Sequence, residues 1–231
     1  MTNKKQKQYI VKILEIEQLT PDVKRFTIEK PMNYKFTPGQ ATEVSVNHKT
    51  WENEKRPFTF TSLNSDKHLE FTIKEYPKHN GVTKEIHSLK PGEELVIGKP
   101  WGAINYRGHG VFIAGGAGIT PFIAILRQLK KDNKIESNKL IFSNKTKEDI
   151  ILEDEFKNKI FKHKPEKLVL TLTRDNNPKY EHERINKEFL EKNIAHFNQN
   201  FYVCGPSKFV QDITNELKEL GAIPQGIVIE D

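Results

Sequence analysis

The segment Gly115-Gly116-Ala117-Gly118-Ile119-Thr120-Pro121 is the strongest chemical signal in this chain. It follows the apolar run Val111-Phe112-Ile113-Ala114 and opens a stretch of helical spacing, Ile123, Leu126 and Leu129. Glycines let the backbone turn sharply and let a ligand approach it. A helix start offers unpaired amide N–H groups and the positive end of the helix dipole, which together suit a pyrophosphate. Thr120 is placed to cap that helix, and Pro121 is tolerated in its first turn. Tight strand–helix packing also wants glycine, but the strand–loop–helix context favours nucleotide binding. No Gly-Lys-Ser/Thr follows, so this is not a Walker phosphate loop.

Three further segments could do chemistry. Arg56-Pro57-Phe58-Thr59-Phe60-Thr61-Ser62 packs a cation, aromatic faces and hydroxyls into seven residues. On a strand, Arg56, Phe58 and Phe60 share one face and Pro57, Thr59 and Thr61 the other. A twist there could turn the arginine to a phosphate and a ring to a planar cofactor; by itself the segment also reads as an edge strand. Gly81-Val82-Thr83 offers backbone N–H groups at another helix start, or an ordinary cap after an Asn80-Gly81 turn. Cys204-Gly205-Pro206-Ser207 joins a strand to a helix. A cysteine at the carboxyl end of a parallel strand lies where α/β sheets bind ligands. A helix N-terminus would favour its thiolate, although buried packing is the commoner use of such a residue. The eight histidines are scattered without His-x₃-His pairs, and no metal site is expected. Gly-x-Ser-x-Gly is absent, so serine hydrolysis has no support. Glu153-Asp154-Glu155 reads as a solvated helix face.

The elements that would position these groups fall into two textures. Up to about residue 100 the pattern is of short strands at Tyr9–Leu19, Val23–Glu29, Ala41–Val46, Leu69–Lys74 and Leu95–Gly98. Pro-Gly and Asn-Gly turns separate them, and one helix is expected from Val82 to Leu89. That spacing predicts an antiparallel barrel or sandwich. From Gly110 strands and helices alternate. Strands are expected at 111–114, 139–143, 168–173, 201–204 and 227–229, and helices at 120–131, 150–157, 186–193 and 207–220. Alternation of this kind predicts a parallel sheet with crossover helices. The expected organisation is an all-β antiparallel barrel domain, residues 1–107, followed by an α/β parallel-sheet domain, residues 108–231.

Composition narrows the function classes. The chain has 231 residues, 37 Lys+Arg against 31 Asp+Glu, and 35% hydrophobic residues; its mean hydropathy is −0.67. Fourteen phenylalanines and clear aliphatic runs argue against disorder. The longest apolar run, Val111 to Leu126, falls short of the ~20 residues of a bilayer span, and the polar N-terminus shows no secretory signal. A single cysteine, Cys204, excludes an internal disulfide framework and an all-cysteine iron–sulfur cluster built by this chain alone. A reducing, cytoplasmic setting is the default expectation. The net charge of +6 comes mostly from dispersed lysines. It suits a solvated surface or the steering of an acidic partner. No basic helix or aromatic RNA-binding signature points to nucleic acid.

Taken in order, these motifs resemble the ferredoxin–NADP⁺ reductase family of flavoproteins. The order is an Arg-x-aromatic-Thr segment, then Gly81-Val82-Thr83 at a helix start, then Gly-Gly-x-Gly-x-Thr-Pro, then Cys-Gly-Pro, with Phe36-Thr37-Pro38-Gly39-Gln40 similar to the family's Pro-Gly-Gln turn. The resemblance covers essentially the whole chain and implies a flavin-binding barrel followed by a nicotinamide-nucleotide domain. It implies that Arg56 binds a flavin phosphate, with Pro57 in the same segment, that Phe58 stacks on the isoalloxazine and that Thr59 bonds near flavin N5. Gly81, Val82 and Thr83 would hold the flavin pyrophosphate, which favours FAD over FMN. Gly115, Gly116, Gly118, Thr120 and Pro121 would line the NAD(P)H path, and Cys204, Gly205 and Pro206 would form the wall beside the nicotinamide. Thr59, Cys204 and Glu230 make up the implied catalytic set. Two departures stand out: Phe58 replaces the tyrosine of many members, and Glu230-Asp231 lacks the terminal aromatic that shields the flavin in some.

The activity this implies is hydride transfer from NAD(P)H to flavin N5, followed by electron delivery to an acidic carrier such as ferredoxin or flavodoxin. Ser143-Asn144-Lys145 supplies no acid for a ribose hydroxyl, and Thr173-Arg174 resembles the Ser-Arg of NADPH-preferring members; similar residues also occur in NADH-using relatives. Rival readings are a reductase of free flavin, ferric chelates or a haem partner, the electron-supply subunit of an oxygenase, and a non-catalytic flavin or nucleotide sensor.

Overall fold

The computed structural model describes residues 7–76, 81–102 and 104–229, and all statements below refer to these. Six strands build the first half: β1 Tyr9–Thr20, β2 Val23–Ile28, β3 Ala41–Val46, β4 Arg56–Thr59, β5 Leu69–Lys74 and β6 Glu94–Ile97. They lie in the antiparallel order β4-β3-β6-β1-β2-β5. The outer strands meet just past β4, where Phe60 bridges Phe71 and the Thr61 amide donates to the Glu70 carbonyl at 2.9 Å, so the sheet curls into a barrel. Alternation sends Val11, Ile13, Phe26, Ile28, Phe71 and Ile73 inward to a common core. Helix α1, Val82–Ser88, plugs that core with Val82 and Ile86.

The second half is a five-stranded parallel sheet of order β11-β10-β7-β8-β9. Its strands are β7 Gly110–Gly115, β8 Lys139–Asn144, β9 Leu168–Leu172, β10 Asn200–Cys204 and β11 Ile227–Ile229. Most buried positions on both faces are apolar, as a sheet covered on two sides requires, with Asn144 and Thr171 the buried polar residues near the strand ends. Helix α2, Thr120–Lys131, covers one face with Phe122, Ile123, Leu126 and Leu129. Helices α4, Lys187–Asn193, and α5, Ser207–Glu219, cover the other with Phe189, Leu190, Ile213 and Leu217. Strand order reverses between β7 and β10, which makes their carboxyl ends a topological switch point.

Most expected elements stand within a residue or two of their positions. The exception is the helix expected over 150–157. The chain instead forms a short α3, Glu153–Glu155, running on into a π-helical turn, Phe156–Ile160. Leu152, at φ 55, blocks an earlier start.

The halves share a packed seam. Val23 of the barrel and Ile104 of the connection belong to the same hydrophobic cluster as Ile125 and Leu129. The Pro38-Gly39 turn drives into this seam. Gly39 sits at φ +96, and a Cβ there would lie 1.9 Å from the Ile104 carbonyl oxygen, so only glycine fits.

Candidate functional site

At the switch point the two glycine-bearing loops of the α/β domain touch. Register pairing sets Cys204 opposite Ala114. Beyond them, a Cβ on Gly118 would lie 2.3 Å from the Cys204 carbonyl oxygen and 2.5 Å from the Gly205 nitrogen. The sequence has glycine here because backbone packs directly on backbone. Gly116–Ile119 form a 3₁₀ turn that runs into α2, with no side-chain cap at either start. Thr120 therefore does not cap α2 as the sequence suggests: it is the first residue of the helix, Ile119 takes the cap position, and Pro121 follows within the first turn. The amide groups at this start have no side-chain acceptor, which suits an anionic ligand.

Thr173 and Arg174 lie at the neighbouring strand ends. Their amides donate to the carbonyls of Asn144 at 2.9 Å and Lys145 at 2.8 Å, so β8 and β9 present Lys145 and Arg174, both exposed, side by side. The Asn144 side chain is buried, and neither its Oδ1 nor its Nδ2 has a protein partner. Asn144 follows Ser143, which pairs with Gly115 at the start of the glycine loop, so this strand end carries two polar atoms able to bond a ligand. Cys204 is buried at the end of β10, with Gly205 half-buried and Pro206 exposed at the start of α5.

On the barrel side, β4 carries the flavin-type segment. Thr59 is buried and pairs with Ala41; Phe58 is half-buried, its ring tilted against Phe71 at 6.4 Å. Arg56 and Pro57 are exposed. The guanidinium donates to the Lys55 carbonyl and lies 3.8 Å from the exposed Glu54 carboxylate, a weak surface contact that leaves it open to a phosphate. Gly81 caps α1 without a side-chain bond and has nothing within 4 Å of an added Cβ. The α1 start thus offers unobstructed backbone next to Thr83, while the Val82 side chain serves the barrel core. These features fit a flavin dinucleotide: a cation and a ring on one strand, and bare amides at a helix start. Glu230 and Asn80 lie outside the described residues.

Sequence reasoning missed the polar knot that joins the two halves. Arg127 of α2 donates to the Thr61 carbonyl at 2.6 Å and to Glu70 at 2.7 Å in the barrel, and forks onto Glu155 at 2.6 and 2.8 Å. Burial works against its charge, but Glu155 and Glu70 outweigh that and hold the guanidinium protonated far above its usual range. Burial likewise opposes the Glu155 carboxylate, and the Arg127 hydrogen bonds and charge outweigh it, so its pKa is lowered. Glu155 is therefore not part of a solvated face. Glu153 is also engaged, accepting from the Tyr180 hydroxyl at 2.6 Å. The available signal was an arginine directly after the apolar run Phe122–Leu126, in a chain that uses lysine for most of its surface.

No helix among the described residues is long and apolar enough to cross a membrane. Nor do the described residues group three or more His, Cys, Asp or Glu side chains around a metal position.

Residues 10–106 match the model of the oxidoreductase FAD-binding domain, and residues 112–215 that of the oxidoreductase NAD-binding domain. The chain is 32% identical over 215 residues to NADH-cytochrome b5 reductase 2 of Botryotinia fuckeliana, covering 85% of this chain and 61% of that protein. It is 30% identical over 213 residues to the protein of the same name from Lodderomyces elongisporus, covering 85% and 70%. Against three of the curated relatives it matches, the chain spans only 40 to 61% of their length. In structure it is similar to a ferredoxin NADP⁺ reductase from Neisseria gonorrhoeae solved with bound FAD and NADP, with a TM-score of 0.78, 22% identity, and coverage of 97% and 98%. At that identity the likeness speaks for the fold.

Proposed function

From the premise that the chain belongs to the ferredoxin–NADP⁺ reductase-like oxidoreductases, with a FAD-binding and an NAD-binding domain, we propose that it is an NAD(P)H-dependent flavoprotein reductase supplying electrons to an acidic protein carrier. The observation that supports this most is the seam itself. The strand bearing Arg56, Phe58 and Thr59 is bonded through Thr61 to the helix that begins at Gly116–Thr120. A flavin site and a nucleotide site built on those two elements share one cleft.

Bound FAD would supply a ring that accepts a hydride and releases electrons singly. The residues of this chain do the rest. Arg56 and the amides of Gly81 and Thr83 bind the flavin's phosphates, and Phe58 offers its half-buried ring to the flavin plane. Thr59, fixed by strand pairing, holds a hydrogen bond at the reacting ring nitrogen. Gly116, Gly118 and Thr120 seat the dinucleotide pyrophosphate, and Arg174 with Lys145 receives the adenosine ribose and any 2′-phosphate. Cys204, Gly205 and Pro206 form the wall against which the nicotinamide lies. Orientation of this kind can remove about 7–11 kcal/mol from the barrier of a two-substrate step.

For the acceptor, the names of the relatives favour a haem carrier of the cytochrome b5 kind over ferredoxin or flavodoxin. The net charge of +6 suits an acidic carrier of any of these kinds. The test is steady-state reduction by the FAD-loaded protein of a dye, cytochrome b5, ferredoxin and flavodoxin in turn, with NADH or NADPH as donor. Dye and cytochrome b5 reduction are expected. Absence of dye reduction with either donor would refute the reductase reading in favour of a sensor, and faster turnover of ferredoxin or flavodoxin would refute the haem carrier.

A further inference from the structure

We propose that Arg127 is a positioning residue: its guanidinium sets how the flavin-binding strand faces the nucleotide loop, by clamping Thr61 and Glu70 of the barrel to α2 and Glu155 of the α/β domain. The inference rests on the reductase reading and deepens it, giving the residue at its seam a role of its own.

The geometry is that of a two-sided fork. One nitrogen, Nη1, reaches across the seam to the Thr61 carbonyl at 2.6 Å and Glu70 Oε1 at 2.7 Å. The other edge, Nε and Nη2, grips both oxygens of Glu155 at 2.6 and 2.8 Å. The acceptors on the barrel side are themselves pinned. Glu70 Oε1 takes a 2.7 Å bond from the Thr61 hydroxyl, and the Glu70 amide donates to Ser62 Oγ at 3.0 Å. All three charged side chains are only 16 to 17% exposed. Salt therefore screens them little.

Position makes this more than a staple. Thr61 lies two residues beyond Thr59 on the same segment, and Arg127 lies two helical turns beyond Thr120. A shift at the knot is passed along a strand in one direction and a helix in the other, both stiff, to the two sites. A buried ion knot is weak evidence for stability, since apolar residues can often replace one, but its fixed bond directions can specify one arrangement. Lysine could keep the charge here and could not keep the planar fork.

The test uses Arg127→Lys and Glu70→Gln in the full chain. With FAD bound, flavin reduction at saturating NAD(P)H is expected to slow at least tenfold, with the nucleotide Kd and FAD content within twofold of the parent. In cofactor-free protein, hydrogen exchange is expected to rise at least tenfold in peptides covering 58–63 and 120–127, while helix α4, on the far face of the parallel sheet, keeps its protection. A parent-like limiting rate in both variants overturns the proposal. So does exchange that rises equally in α4 and the seam, which would mean general loosening. If the parent itself shows no reduction by NAD(P)H, the reductase reading fails, and the exchange comparison still decides whether Arg127 sets the seam.

Discussion

Replacing Gly118 by alanine should separate the two loops of the nucleotide cleft by a known amount. The new methyl group would sit 2.3 Å from the Cys204 carbonyl oxygen, 2.5 Å from its carbon and 2.5 Å from the Gly205 nitrogen. An ordinary carbon–oxygen contact is about 3.3 Å, so one backbone must withdraw from the other by about 1 Å. Both are main chain, and neither can rotate aside. A misplacement of about 1 Å costs on the order of 100-fold in a step that depends on alignment, equivalent to about 2.7 kcal/mol of barrier. Overpacking of this sort also costs about 1–3 kcal/mol of stability. The assay is anaerobic stopped-flow reduction of the FAD-loaded protein at saturating NAD(P)H, with melting temperature and flavin content measured on the same samples. Gly98→Ala serves as the control, because its added methyl meets nothing closer than Thr42 Oγ1 at 3.4 Å; its rate should stay within twofold. A folded, flavin-replete Gly118→Ala protein that reduces within threefold of the parent would show that contact between these loops does not govern the nicotinamide's position.

Three other outcomes follow from the same geometry. Arg174→Ala should lower kcat/KM for NADPH about tenfold, the order of one hydrogen bond to a charged group, and for NADH less than twofold; equal losses would remove Arg174 from 2′-phosphate recognition. His87 is buried on α1, and burial lowers its pKa below the ordinary value of 6.5 despite the Ile73 carbonyl at 2.8 Å and Glu75 nearby. The folded protein thus takes up this proton at lower pH than the unfolded chain. The contribution of His87 is then full above about pH 6.5 and lost as pH falls below it. The parent's melting temperature should drop between pH 7 and 5 more steeply than that of His87→Gln, and parallel curves would contradict the shift. Phe58→Ala should weaken FAD retention at least tenfold in equilibrium dialysis, since it deletes a half-buried ring on the proposed flavin strand; unchanged retention would mean the ring does not meet the flavin.

Much of this architecture is legible in the sequence, for physical reasons. Period-two alternation in Val23–Ile28 and Leu69–Lys74 marks strands with one face on the core, and β7, apolar at every position, marks a strand covered on both. The strand–glycine–helix passage at 110–131 is a local signal, complete within one stretch of chain. What stayed hidden depends on partners far apart in sequence. Arg127 meets Glu155 across 28 residues, Glu70 across 57 and Thr61 across 66. Glu155 read as solvent-facing because its neighbours are acidic, and only the tertiary fold brings a guanidinium to it. Thr120 had the composition of a cap, but the 3₁₀ turn at Gly116–Ile119 starts the helical run earlier and moves the cap position back to Ile119. The helix expected from Ile150 gave way to Leu152 in the left-handed region and a π turn, neither of which has a pattern of apolar spacing.

The measurement that bears most directly on the shared cleft is the visible spectrum of the protein mixed with FAD under nitrogen and then titrated with NADH or NADPH. The account predicts flavin bands that stay with the protein through gel filtration and bleach on adding one equivalent of nucleotide. A colourless protein that retains neither FAD nor FMN, or a yellow one whose bands survive excess of both nucleotides, would contradict it.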